Sequence, residues 1–317
     1  MRTTNKILSE AKNEKNGEFF LLKEEIEKEM IHYAKFLAGK RIYIPNTKLT
    51  VELAQNDAFA RYFCTSSMIK KLNVAEVKYS YYDENGNFVL ITMTKNGITK
   101  NVISASDDEN RLFYVYKEID KSDVIISNPE GNKVKDVFTY VYLSKKDYIF
   151  CVSKNFMATR IAATAHAKGK MNFGHNIPKK FYDVKNDKVV RPTSMWITSI
   201  SNGYTPKVIT TFYDTNSYDY QKFDNYDAIN VECIKMIPMD YKGCIGLPIT
   251  FFPFLNKEQF EIIGVFNRFN ESDDKNGCIC GELAEYIDNH GKIEHTTGPV
   301  VNGKAVYTRL LIRFRNI

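Results

Sequence analysis

Residues 123–152 constrain the fold more than any other stretch of this chain. Asp123-Val-Ile-Ile-Ser127 is a compact apolar run closed by Asn128-Pro129, and such a run suits a strand buried on both faces. Residues 132–143 then carry a helical pattern, and Asp147 to Val152 form a second strand-like run. Strand, helix and strand in this order predict a parallel βαβ unit, since parallel neighbours need a crossover between them. The fold class that follows is α/β.

The flanking segments fit that reading. Across residues 22–38, Leu22, Ile26, Met30, Tyr33, Ala34 and Leu37 recur at helical spacing, and Gly39 supplies a stop. Arg41 to Ile44 is a short apolar strand, and helix followed by strand is how a doubly wound sheet begins. Residues 74–83 read as another strand. Glu84-Asn85-Gly86-Asn87 and Lys95-Asn96-Gly97 then mark turns, so 78–103 is expected to be an antiparallel excursion. After about residue 155 the pattern loosens. Met195 to Ile200 reads as a strand, and residues 201–230 as irregular surface rich in Tyr, Asp and Asn. Ile245 to Phe254 contains Pro248 and Pro253 and cannot be a regular central strand throughout. Val306 to Phe314 alternates. The division drawn from this is 1–155 as one region and 156–317 as the other.

Composition excludes several classes. At 44% hydrophobic and 26% charged residues, wholesale disorder is not expected. No apolar run is long enough for a membrane span, and the polar start Met1-Arg2-Thr3-Thr4-Asn5-Lys6 lacks a signal core, so the expected location is the cytoplasm. The six cysteines are scattered and fit reduced thiols. Cys278 and Cys280 have only His290 and His295 near them in sequence, and no metal site is expected. A net charge of +6 suits a polyanionic partner without demanding one.

Chemistry enters at Asn128-Pro129-Glu130-Gly131. Adenine methyltransferases place an Asn/Asp-Pro-Pro-aromatic tetrad at the carboxyl end of a central strand. The exocyclic amine of adenine is a poor nucleophile, because its lone pair is delocalised into the ring. A side-chain oxygen and a backbone carbonyl accept its hydrogens, and the aromatic stacks on the base once it is flipped out. Asn-Pro alone is a common turn dipeptide. The wider match is denser: Asp123 to Pro129, Phe223-Asp-Asn-Tyr-Asp-Ala-Ile-Asn-Val231, Ile237-Pro-Met-Asp-Tyr-Lys-Gly-Cys-Ile-Gly-Leu-Pro-Ile-Thr-Phe251 and Asn256 to Gly264. Met195-Trp-Ile-Thr198 and Tyr307-Thr-Arg-Leu-Leu-Ile312 add to it. Through these segments the chain resembles the EcoRI-type adenine-specific DNA methyltransferases.

The resemblance implies a Rossmann-like, S-adenosylmethionine-dependent methyltransferase fold with C-terminal DNA-recognition additions, and double-stranded DNA as partner. It places catalysis at Asn128, Pro129, Glu130 and Gly131, and the cofactor at Glu18, Phe19, Phe20, Pro45 and Asn46. Region 1–155 then holds the cofactor and catalytic motifs, and 156–317 the remainder of the sheet with the target-recognition region. DNA contacts are expected at Lys168, Lys170, Lys179 and Lys180 in the basic run, and at Asn225 and Tyr226 in the signature segment. The basic run read by itself is equally a solvated loop.

Departures from the family pattern fall on the chemistry. The first cofactor segment is Gly17-Glu18-Phe19-Phe20-Leu21, without the family's leading acid and threonine. Strand 42–44 runs into Pro45-Asn46-Thr47-Lys48 with no carboxylate before Glu52. In the tetrad, Glu130 and Gly131 replace proline and the stacking ring. Losing that ring costs on the order of 1–3 kcal/mol per base. Phe138, Tyr140 or Tyr142 could supply another ring, and Asp57 or Asp83 another acid. Two main readings result, beside a third, a stand-alone interaction protein that has lost DNA binding too. One is a DNA-binding homologue, weakly active or inactive as a methyltransferase, using no cofactor if inactive and pairing with an active methyltransferase or restriction partner. The other is an active site-specific adenine methyltransferase of a restriction-modification system using S-adenosylmethionine.

Overall fold

The computed structural model describes residues 19–45, 57–64, 66–104, 111–129, 133–183, 186–201, 203, 206–266 and 298–315. Two compact units emerge: Met1–Ser153 with Asn172–Asn202, and Lys154–Met171 with Gly203–Ile317.

The first unit starts with β1 (Phe19–Leu21) and α1 (Lys23–Met30). Acidic Glu24 and Glu25 lie in the first turn of α1, where they complement the helix dipole. The helical pattern over 22–38 is interrupted. A 3-10 turn at Ile31–Tyr33 separates α1 from α2 (Ala34–Leu37), and Tyr33 turns inward to donate its hydroxyl to Glu29. Then come β2 (Arg41–Pro45), α3 (Ala58–Phe63) and α4 (Ser66–Leu72). The Asp57 side chain caps α3. The meander β3 (Glu76–Tyr82), β4 (Phe88–Thr94) and β5 (Gly97–Ile103) follows, as the Asn-Gly turns predict. Every residue of β5 is exposed.

Next are α5 (Arg111–Asp120), β6 (Val124–Ser127), α6 (Val134–Leu143) and β7 (Asp147–Ser153), the expected βαβ unit. After the chain's passage through the second unit come β8 (Asn172–Phe173), β9 (Phe181–Asp183), β10 (Lys188–Val190) and β11 (Ser194–Thr198). The main sheet has the order β5-β4-β3-β2-β6-β7-β11-β8. Its centre, β3-β2-β6-β7, is parallel, and β11 closes antiparallel on β7. A separate small sheet, β1-β9-β10, is antiparallel.

Alternation explains how the main sheet is covered. Ile42, Ile44, Val124, Ile126, Ile149 and Cys151 face a core with Ile26, Met30, Phe59 and Phe63 of the α1 and α3 side. The intervening Tyr148 and Phe150 point the other way, where the Phe138 ring of α6 meets them at 5.2 and 6.2 Å. Each fully buried side chain of this size contributes about 1.5–3 kcal/mol of burial. The chain passes from β2 to β3 on one side, then to β6 on the other side of β2. The carboxyl ends of β2 and β6 therefore flank a topological switch point, the place where open α/β sheets form a crevice.

The second unit holds a 3-10 turn at Lys154–Ala158 and α7 (Arg160–Ala167). Its sheet combines β12 (Ala228–Asn230), β13 (Cys244–Pro248), β14 (Phe260–Phe266) and, beyond the hairpin β15 (Val300–Val301) and β16 (Lys304–Ala305), β17 (Arg309–Phe314), in the order β12-β13-β17-β14. Strand β13 stops at Pro248, and the chain turns into the 3-10 segment Ile249–Phe254 that contains Pro253. At Gly246 a Cβ would lie 2.3 Å from the Phe223 ring, so this strand needs glycine to let the ring close the core. Among the described residues, no helix is long and apolar enough to cross a membrane.

Candidate active site

Asn128 leaves the carboxyl end of β6, half-buried, at the switch point. Two long-range hydrogen bonds gather the site. Ser127 Oγ donates to the Pro45 carbonyl at the end of β2 at 3.1 Å, and Asn128 Nδ2 donates to the Phe19 carbonyl of β1 at 3.4 Å. Phe19, Pro45 and Asn128, three of the residues expected from sequence, thus meet at one place. Asn128 Oδ1 has no hydrogen-bond partner among the described residues. Pro129 is half-buried beside it, and Phe20 is buried. Glu18, Asn46, Glu130 and Gly131 lie outside the described residues. At the opposite ends of the same two strands, the Arg41 guanidinium grips Asp123 at 2.7 and 3.2 Å. These hydrogen bonds hold the Asp123 carboxyl below the usual carboxylate range.

The residues that could make good the altered motifs are occupied. Phe138 is fully buried. Tyr140 stacks on Tyr116 with ring centroids 4.0 Å apart, and its hydroxyl donates to Asp120 at 2.8 Å. Tyr142 lies half-buried alongside Phe138. Asp57 Oδ1 accepts the backbone N–H groups of Phe59 and Ala60 at 2.8 and 3.0 Å. Asp83 accepts from the backbone of Asn85 and Asn87 and from Asn87 Nδ2, at 2.8 to 3.0 Å. The Asn87 side chain leads in keeping the Asp83 carboxyl below its usual range. Asp83 is a turn residue and Asp57 a helix cap. Neither is spare to receive the ribose hydroxyls of a nucleoside cofactor, so no chemical step is assigned through such a group.

The expected DNA contacts fall in different settings. Lys168 and Lys170 are exposed just after α7. Nearby His166 is buried instead, and desolvation followed by the Lys257 charge depresses it to about 3, which keeps it neutral. Lys179 and Lys180 are exposed in the first unit, where Lys180 pairs with Glu24 at 3.2 Å. Asn225 is committed internally: its Nδ2 donates to the Gly298 carbonyl at 2.8 Å and its Oδ1 accepts from Val300 at 3.2 Å. Tyr226 is buried, with its ring against Phe266. Tyr213, Tyr220 and Tyr241 form a ring cluster at centroid spacings of 4.7 and 4.8 Å. No cluster of three or more metal-ligating side chains exists among the described residues, and Cys278, Cys280, His290 and His295 lie outside them.

Sequence reasoning missed Ser127, Glu25 and Glu29. Both glutamates are buried, at 4% and 0% exposure, on the helix that also buries Ile26 and Met30. Their signal was available: two acids four residues apart beside an apolar face.

Comparison with known proteins gives a consistent picture. The family described as adenine-specific methyltransferase EcoRI matches residues 114–315. The chain is 26% identical to Type II methyltransferase M.MgeORF184P of Mycoplasma genitalium, with 97% of this chain and 98% of that protein covered. It is 26% identical to Type II methyltransferase M.EcoRI of Escherichia coli, over 85% of this chain and 92% of that one. Against Type II methyltransferase M.MpnI of Mycoplasma pneumoniae the identity is 24%, over 96% and 97%. No solved structure matches.

Proposed function

The chain belongs to the EcoRI family of adenine-specific DNA methyltransferases, and from that premise we propose that it binds double-stranded DNA while methyl transfer is strongly attenuated. One observation carries this reading. Asn128 keeps the strand-end place that an adenine amine requires, and among the described residues its oxygen has no partner, yet Phe138, Tyr140, Asp57 and Asp83 are committed elsewhere and Tyr142 lies along Phe138. An adenine brought to Asn128 finds an acceptor and a backbone carbonyl at Pro129, but no stacking partner among Phe138, Tyr140 and Tyr142. The fold is read as Rossmann-like. A parallel centre with a switch point, closed by an antiparallel strand, supports that reading. Region 1–155 carries the cofactor and catalytic motifs, and 156–317 the remainder of the sheet and target recognition. Lys168, Lys170, Lys179 and Lys180 serve as backbone contacts, whereas Asn225 and Tyr226 support the recognition region from within. An active methyltransferase or a restriction enzyme is the natural partner, and the cytoplasm the natural setting.

The decisive measurement is calorimetry with S-adenosylmethionine, paired with DNA binding across salt concentrations. The proposal expects a steep salt dependence, because phosphate contacts release counterions. It also expects little or no cofactor heat. Tritium transfer to DNA at ordinary turnover by the purified chain would overturn it. That outcome belongs to the second reading, an active site-specific adenine methyltransferase. The convergence of Phe19, Pro45 and Asn128, with similarity along nearly the whole chain, favours the second reading.

A further inference from the structure

Helix α1 buries two carboxylates one turn apart, and buried charges persist only where hydrogen bonds compensate them. Both turn to the same piece of chain. Glu29 Oε1 accepts from the His175 backbone at 2.9 Å and from Tyr33 Oη at 2.8 Å. Glu29 Oε2 accepts from the Asn176 backbone at 2.8 Å and from its Nδ2 at 3.1 Å. Glu25 Oε2 accepts from the Lys179 backbone at 2.8 Å. Residues 174–180 therefore form a strap laid along α1. The approach is so close that a Cβ on Gly174 would lie 2.3 Å from Glu29 Oε1 and 2.4 Å from Trp196 Cβ.

The strap leads straight into the site. The Lys180 carbonyl accepts from the Leu22 backbone at 3.2 Å, and β9 follows at once, pairing with β1 along Phe19–Leu21. The Phe19 carbonyl at the end of β1 is the group that receives Asn128 Nδ2. A carboxamide can turn either its oxygen or its nitrogen toward a neighbour, and a carbonyl accepts only the N–H side. Held there, the carboxamide keeps its oxygen turned away from Phe19 and without a partner among the described residues.

We propose that Glu29, with Glu25 in support, is a positioning residue for Asn128: through the strap and β9 it holds β1 so that the Phe19 carbonyl keeps the Asn128 oxygen turned toward an incoming adenine amine. This rests on the reading of Asn128 as the adenine acceptor and on nothing else in that reading. It has a corollary for the tetrad. Aspartate, which serves elsewhere as well as asparagine, does not serve here, because a carboxylate oxygen would face the Phe19 carbonyl.

The test uses the free full-length chain labelled with 15N-asparagine, the Asn128 side-chain signal being assigned by its loss in Asn128→Ala. Water exchange of the Nδ2 protons is measured in the parent, Glu29→Gln and Glu25→Gln, with hydrogen exchange by mass spectrometry over 19–22 and 174–183. The expected result is protected Nδ2 protons in the parent. In Glu29→Gln their exchange accelerates about 2- to 10-fold, the factor that a net hydrogen-bond contribution represents. Exchange in 19–22 rises in parallel, and Glu25→Gln shifts both more weakly. Asn128→Asp is expected to speed exchange in 19–22 with 174–179 unchanged. Parent Nδ2 protons exchanging as in free asparagine would sink the idea. So would a strap that loosens in either glutamine variant with Asn128 unaffected. If Glu29→Gln does not fold, the Glu25→Gln and Asn128→Asp measurements decide alone. Failure of DNA binding or of cofactor binding bears on the proposed function and does not enter these readouts.

Discussion

Among the described residues, an asparagine sits at the carboxyl end of a parallel strand in each unit, and the two are used in opposite ways. Asn230, ending β12, spends both ends of its amide: Oδ1 accepts from Arg309 Nε at 3.0 Å and Nδ2 donates to Glu232 at 3.0 Å. Arg309, buried in β17, also reaches Glu232 Oε1 and the Tyr307 carbonyl. Asn128, just after β6, spends only its nitrogen among the described residues. The same residue at the same kind of strand end is a structural tie in one unit and an open acceptor in the other. What separates them is whether a buried cation needs neutralising nearby.

Substitutions can break that contrast. Removing the cation should have the largest effect. Arg309→Ala strands the Asn230 oxygen inside the second unit and empties the space of a buried side chain, and its unfolding midpoint in urea should correspond to a loss on the order of 3 kcal/mol. Asn230→Ala, which leaves the buried guanidinium short of an acceptor, is expected to cost about 1–3 kcal/mol in the same experiment. Asn128→Ala should be smallest, within about 0.5 kcal/mol of the parent, as befits a half-buried side chain with one long hydrogen bond. Equal losses for Asn230→Ala and Asn128→Ala would erase the distinction.

Acid titration sharpens the comparison through buried groups in each unit. His166 in the second unit has its folded value depressed from 6.5 to about 3, so the unfolded chain binds more protons between those values. Stability from the neutral imidazole is full above 6.5 and is lost as pH falls toward 3, at up to about 1.4 kcal/mol per pH unit. Glu25 in the first unit is held below its ordinary 4.5, chiefly by the Lys179 backbone and Lys28 outweighing the opposing desolvation. Its contribution persists above 4.5 and is lost only below it. Trp196, the single tryptophan, lies in the first unit and reports on it. The unfolding midpoint in urea should therefore begin to fall below pH 6, through His166 in the second unit and through His175 in the first, whose value desolvation and then the His32 charge also lower. His166→Phe should reduce that fall and leave the part reported by tryptophan emission unchanged.

How far the sequence revealed this molecule depended on the length scale of each signal. The βαβ unit and the meander were legible, because period, Asn-Gly turns and an apolar run all act within a few residues. The β1-β9-β10 sheet was not: its strands are three residues long, and Phe19 pairs with Asp183 across most of the chain. Glu25 and Glu29 show in the sequence only as two acids beside an apolar face, and the backbone N–H groups that fold over them come from residues 175–179, about 150 positions along the chain. At the site, the strand before Asn128 was readable from its apolar run, and the role of Asn128 only through the wider family match. Its partner Phe19, and Pro45 bound by neighbouring Ser127, were readable only through family resemblance, and the bonds joining them are tertiary.

The rim strand β5 carries a consequence for the molecule in a crowded solution. With all seven residues exposed and Ile98 and Val102 bare, it offers an unpaired ladder to any passing strand, including that of a twin. Two such rims meeting head to tail about their midpoints would set Lys100 against Lys100, so like charge keeps the chains apart where hydrogen bonding would zip them together. Lys100→Val should remove that guard, turning a dilute protein that scatters little light into one that gathers with concentration, and unchanged scattering would show that the rim is protected by other means.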